Sequence, residues 1–145
     1  MDKIIFLDID GVLKLEGVVN FNKGAIQNLI DIIHQTGCKI VLSSNWRVAG
    51  IGPESPIQVC LRISGGDIVG KSIISKTDLS RFQRGIQIKQ WLIDNNFSGN
   101  FVVIDDIVWD MGDLKELILV DRTCGLTKQN AKLAIDILNK EGKRC

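Results

Sequence analysis

Four aspartates and two serines sit where short apolar runs stop. Asp8 and Asp10 follow Lys3–Leu7 (KIIFL), Ser43 and Ser44 follow Lys39–Leu42 (KIVL), and Asp105 and Asp106 follow residues 101–104 (FVVI). Four carboxylates brought together would repel one another, and burial would sharpen the repulsion. A divalent cation relieves it. All-oxygen ligands favour a hard ion, and a site that keeps waters while taking a phosphate suits Mg2+. Beside such an ion an aspartate can attack phosphorus and form an acyl phosphate. A second acid two residues on can protonate the leaving oxygen and then act as base towards the water that ends the cycle. A hydroxyl and a cationic side chain are wanted at the remaining phosphoryl oxygens.

For this chemistry the three segments must converge, and the pattern between them says how. The runs KIIFL, KIVL, FVVI and residues 117–120 (LILV) are short, continuous and apolar, as strands buried on both faces are. Between them lie helical periods. Asn22 is placed to cap a helix over residues 23–35 closed by Gly37, with Ile26, Leu29, Ile30 and Ile33 on its apolar face. A short helix is expected over 57–63, an edge strand at 67–69, and a helix over 81–95 with Phe82, Ile86 and Ile93 buried. A last helix begins near Thr127, with Ala131, Ala134, Ile135 and Leu138 as its stripe. Two extended segments around Glu16-Gly17 predict a β-hairpin over residues 12–21. Strands alternating with helices imply an α/β domain with a mostly parallel sheet, whose carboxyl edge is where ligands bind.

The residues then match a family. Asp8-Ile9-Asp10-Gly11-Val12-Leu13 after an apolar strand resembles the first motif of the haloacid dehalogenase-like (HAD) superfamily, which is largely phosphatases. Residues 40–44 (IVLSS) resemble its second motif and residues 102–106 (VVIDD) its acidic fourth. The resemblance implies Asp8 as nucleophile and Asp10 as acid/base that also offers a backbone carbonyl to magnesium. It implies Ser44, ahead of Ser43, as the phosphate-binding hydroxyl. It implies Asp106 as the direct metal ligand with Asp105 in support and Asp110 behind them. For the family's basic third motif Arg84 fits best by position, with Lys71 as runner-up; Ser43, Arg47 and Lys71 are further substrate contacts. Ser-Ser-Asn-Trp-Arg, Gly70-Lys71-Ser72, Arg84-Gly85 and Gly125-Leu126-Thr127 are similar to the small capless HAD domains of Swiss Army Knife RNA-repair proteins. That branch implies one three-layer Rossmann-like domain over residues 1–145, with the hairpin as a flap over an open crevice.

The totals narrow the function further. The 145 residues carry 45% apolar and 24% charged side chains and a net charge of +1, which excludes a global attraction to nucleic acid or anionic membrane. No apolar run approaches a bilayer span, and no signal-peptide pattern opens the chain. Four scattered cysteines and one histidine, His34, argue against a disulfide framework or a structural zinc, so a cytoplasmic location is expected. Trp46, Trp91 and Trp109 read as packing residues. Lys71, Lys76, Arg81, Arg84 and Lys89 fall in a segment whose only acid is Asp78; at the crevice edge they would favour a polyanion, and elsewhere they are a solvated face. The expected activity is a magnesium-dependent phosphatase acting on a phosphorylated substrate. Polynucleotide ends rank first, then phosphoproteins and small molecules. The alternatives are an inactive HAD-like module that binds phosphorylated ligands or a protein partner, and a receiver domain, for which the acids are wrongly spaced. Oligomeric state is not legible.

Overall fold

Each apolar run becomes a strand because its alternate side chains find a hydrophobic layer on both faces. The computed structural model describes residues 3–79 and 83–141. β1 (Lys3–Leu7), β2 (Lys39–Leu42), β3 (Ile73–Lys76), β4 (Asn100–Asp105) and β5 (Leu117–Leu119) form one parallel sheet in the order β3-β2-β1-β4-β5. Ile5, Leu7, Ile40, Leu42, Val102 and Ile104 face α1 (Lys23–Thr36), α2 (Pro56–Ile63), α3 (Asp67–Ser72) and α5 (Lys128–Leu138). Ile4, Phe6, Val41 and Val103 face the other way, onto Ile88 and Trp91 of α4 (Arg84–Asp94) and onto Met111. Three layers follow from this two-sided burial, the expected Rossmann-like α/β fold.

The register sets the site. Leu7 pairs with Leu42 and with Ile104, and Leu42 pairs with Lys76, so Asp8, Ser43, Thr77 and Asp105 stand one step beyond the pairs at one level. Side chains alternate faces along a strand. Asp8, Ser43 and Asp105 therefore share the parity of Phe6, Val41 and Val103, the face that α4 covers.

The expected first helix is present, with the Asn22 side chain accepting from Ala25 N and Gly37 closing it at φ 69°. Three expectations need correction. Residues 67–69 are not the edge strand; they open α3, and the edge strand is Ile73–Lys76. Ile86 and Ile93 lie on the exposed side of α4, which buries Ile88 and Trp91 instead. Phe82 and Arg81 fall outside the described residues. Residues 12–21 form no pair of strands. They make tight turns with one isolated bridge from Asp10 to Lys14, because Val12 and Leu13 are fully buried in the core and cannot stand off as a flap. Among the described residues no helix is long and apolar enough to cross a membrane.

Candidate active site

The end of β1 turns sharply. Val12, Leu13 and Lys14 all donate their backbone N–H to Ile9 O, and Gly11 N–H donates to Lys14 O across 2.7 Å. Gly11 takes φ +84°, and a Cβ there would lie 2.4 Å from Asp106 Oδ2. Only glycine allows the first acidic segment to approach the second this closely.

Asp8, Asp105 and Asp106 offer carboxylate oxygens that all lie within 4.8 Å of one another. Arg84, the first residue of α4, closes over this group. Its Nη1 is 2.6 Å from Asp105 Oδ2 and 3.5 Å from Asp8 Oδ1, and the three side chains are almost wholly buried. Asp105 also accepts from Ile107 N–H through Oδ1 at 3.1 Å, so both of its oxygens are committed to protein donors. Asp106 meets Arg122, whose Nε is 3.3 Å from Asp106 Oδ2. Burial, then the Asp105 charge, push the Asp8 carboxyl up to about 8, against the pull of Arg84. Asp105 is also raised, first by burial, with Arg84 pulling it down.

Three clustered carboxylates, Asp8 and Asp105 buried and Asp106 partly so, meet two guanidiniums, Arg84 and Arg122, and are left one positive charge short. Their hard oxygen donors can hold a metal ion. The carboxylate of Asp10 stands outside this cluster. It is exposed, and its Oδ2 accepts from Trp46 Nε1 at 3.3 Å.

The end of β2 supplies the hydroxyls. Ser44 caps a 3-10 helix over Asn45–Ala49, its Oγ accepting from Trp46 N at 3.2 Å. Ser43 Oγ is buried without a partner. Arg47 is buried beneath both serines. Its Nη1 donates to Ser43 O and to Ser44 O, and its Nη2 donates to Gln87 Oε1 at 2.8 Å. Burial and the nearby Arg84 lower its pKa. Arg47 thus braces the serine turn, where the sequence reading made it a substrate contact. Lys71 is not brought to the site. It precedes β3 at the opposite edge of the sheet and pairs with Asp67 at 3.0 Å. Asp110 does lie near Arg84, and its carbonyl accepts from Gly85 N at 2.9 Å.

The described basic residues of the 71–89 segment take separate partners, and Arg81 lies outside the described residues. Lys89 pairs with Asp113, Lys76 donates to Arg47 O, and Arg84 serves the carboxylates. Two residues at the site were missed by sequence reasoning: Trp46, assigned only to packing, and Arg122. The signal for Arg122 was its place just past a strand's carboxyl end.

Residues 4–131 match the model of the HAD domain in Swiss Army Knife RNA repair proteins. The chain belongs to that family. No curated protein and no solved structure gives a match to it. The family is of the phosphatase type, and the acidic triad of this HAD domain can hold a metal ion.

Proposed function

We propose that this HAD domain is a magnesium-dependent phosphomonoester hydrolase working through an aspartyl-phosphate on Asp8. The observation that carries the reading is the buried Asp8 at the end of β1. It lies against Arg84 and two further carboxylates, with a separately held acid two residues on. Asp8 Oδ attacks phosphorus, the bond to the leaving oxygen breaks, and Asp10 gives that oxygen its proton. Water then attacks the same phosphorus as Asp10 takes its proton, and Asp8 leaves as carboxylate with inorganic phosphate released. The Ser44 hydroxyl, with Ser43 beside it, and the Arg84 guanidinium hold the remaining phosphoryl oxygens. A divalent cation on Asp8 and Asp106 would neutralise charge between the attacking carboxylate and the phosphate.

The described residues include no cap over the carboxyl edge of the sheet, which favours a phosphate at the end of a macromolecule, a polynucleotide end first. Cys38, Cys60 and Cys124 are free thiols, in keeping with a cytoplasmic setting. The test is hydrolysis of p-nitrophenyl phosphate, followed by a panel of 3′- and 5′-phosphorylated oligonucleotides, phosphopeptides and sugar phosphates. Turnover should require Mg2+, stop with EDTA and vanish in Asp8→Asn. Full activity in that variant would sink the nucleophile assignment, and phosphate binding without turnover would favour a binding module.

A further inference from the structure

A cavity of about 230 Å³ shares a wall with the phosphoryl site, lined among others by Asp10, Lys14, Glu16, Asp106 and Arg122. Lys14 is half-buried, and its side chain makes no hydrogen bond or ion pair among the described residues. Arg122 reaches Asp106 through Nε, which leaves its two terminal nitrogens for another acceptor. The acids on the wall are matched differently: Asp106 by Arg122, Asp10 by the Trp46 indole, while Glu16 stands exposed at the mouth.

Backbone hydrogen bonds join the two segments that carry these cations. Glu16 N–H donates to Arg122 O and Leu126 N–H donates to Val12 O, both at 2.9 Å. Gly125, at φ +70°, fits so closely that a Cβ would lie 2.9 Å from Val12 O and 2.5 Å from Leu15 Cδ2. The turn that carries Lys14 and the loop that carries Arg122 are thus stitched together, although 108 positions separate the two residues (122 less 14). Two basic side chains on one cavity, Lys14 half-buried and Arg122 exposed, suit an anion, and a guanidinium with a free edge suits a phosphate oxygen pair.

Asp10 decides which part of the substrate enters. It is the acid assigned to the leaving oxygen, so a cavity that Asp10 lines lies on the leaving-group side. We propose that the substrate carries a second phosphate group beside its leaving oxygen and that Lys14 and Arg122 bind it. This rests on the assignment of Asp8 and Asp10 above and adds the substrate class: a phosphomonoester with a neighbouring phosphate.

The test is calorimetric binding to the full chain bearing Asp8→Asn, with Mg2+ present, so that no turnover is needed. The probes are adenosine 5′-monophosphate, adenosine 3′,5′-bisphosphate and a 5′-phosphorylated dinucleotide whose second phosphate is a diester. The bisphosphate should bind about tenfold more tightly than the monophosphate, the scale expected for one charge-assisted contact. Lys14→Gln, and separately Arg122→Gln, should reduce that ratio to about twofold or less. Reading a ratio of two ligands in one variant cancels any general damage from loosening Asp106. Equal affinity for the two nucleotides, or a ratio unchanged in both variants, would overturn the proposal. If the dinucleotide shares the advantage, the second phosphate belongs to a strand; if only the bisphosphate does, it belongs to a small molecule. Failure of the unmutated chain to hydrolyse any substrate would remove the catalytic reading and leave this binding comparison standing.

Discussion

The indole N–H of Trp46 donates to Asp10 Oδ2 across 3.3 Å, tying the turn after β2 to the acid after β1. Trp46 is itself held twice, by the Ser44 cap on its backbone N–H and by an edge-to-face contact with Phe21 at 5.4 Å between ring centroids. One carboxylate oxygen is thereby fixed, and in the proposed mechanism the other serves the leaving group. Trp46→Phe keeps the packing on Phe21 and removes the donor. It should slow hydrolysis of an alkyl phosphate by about tenfold and of p-nitrophenyl phosphate by less than about threefold, because a good leaving group needs less protonation. Equal losses on the two substrates would show that Trp46 does not act through Asp10.

Arg84 is expected to matter for stability as well as turnover. Removing one member of a buried ion pair leaves an uncompensated charge and costs about 3–5 kcal/mol. Arg84→Met should therefore lower unfolding stability by about 3 kcal/mol, measured by chemical denaturation, and should abolish activity. Adding Asp105→Asn should recover part of the stability and none of the activity. Strictly additive losses in the double variant would mean that the 2.6 Å contact does not couple the two residues.

The acidic cluster predicts how stability depends on pH. Asp8 is raised to about 8 in the folded, metal-free chain, from an ordinary 3.8. The folded state thus holds a proton that the unfolded state has released, so stability falls as pH rises from about 4 to about 8. Tm of the EDTA-treated protein should decline between pH 5 and pH 8. Mg2+ should raise Tm more at pH 8, where it competes with fewer protons. Asp8→Asn should flatten the decline. A Tm gain from Mg2+ that is the same at both pH values would contradict this account.

Gly85 tests how Arg84 is positioned. Its N–H donates to Asp110 O, and a Cβ would lie 2.4 Å from Met111 O, a backbone atom that cannot swing aside. Alanine in a helix ordinarily gains about 1 kcal/mol over glycine. Here the overpacking should win, with a net loss of about 1–2 kcal/mol and reduced activity as α4 is pushed off the carboxylates. A higher Tm for Gly85→Ala, read by thermal denaturation, would show that the helix start has room to move.

The chain's local pattern was enough to place Asp8, Ser43 and Asp105 at strand ends. Each follows an apolar run too short for a helix, and a parallel sheet aligns such ends at one edge. The caps at Asn22 and Gly37 were equally legible, since capping involves only near neighbours. Local pattern failed where two faces compete. Ile86 and Ile93 look as buriable as Ile88, but α4 meets the sheet along Ile88 and Trp91, and that choice belongs to the sheet. Residues 12–21 alternate like a hairpin, yet Val12 and Leu13 are drawn into the core by partners as distant as Leu126. The edge strand went to Ile73–Lys76 because Asp67 begins a helix that the sequence does not announce. Lys71 and Arg84 were rivals by position along the chain, and only the direction of β3 puts Lys71 at the far edge. What the sequence by itself determined was which residue types end each strand, because backbone periodicity is local. The resemblance had favoured Arg84 over Lys71, but that Arg84 faces those acids on one side and Arg122 on the other was decided by tertiary structure, because contacts between distant segments depend on register and layer packing.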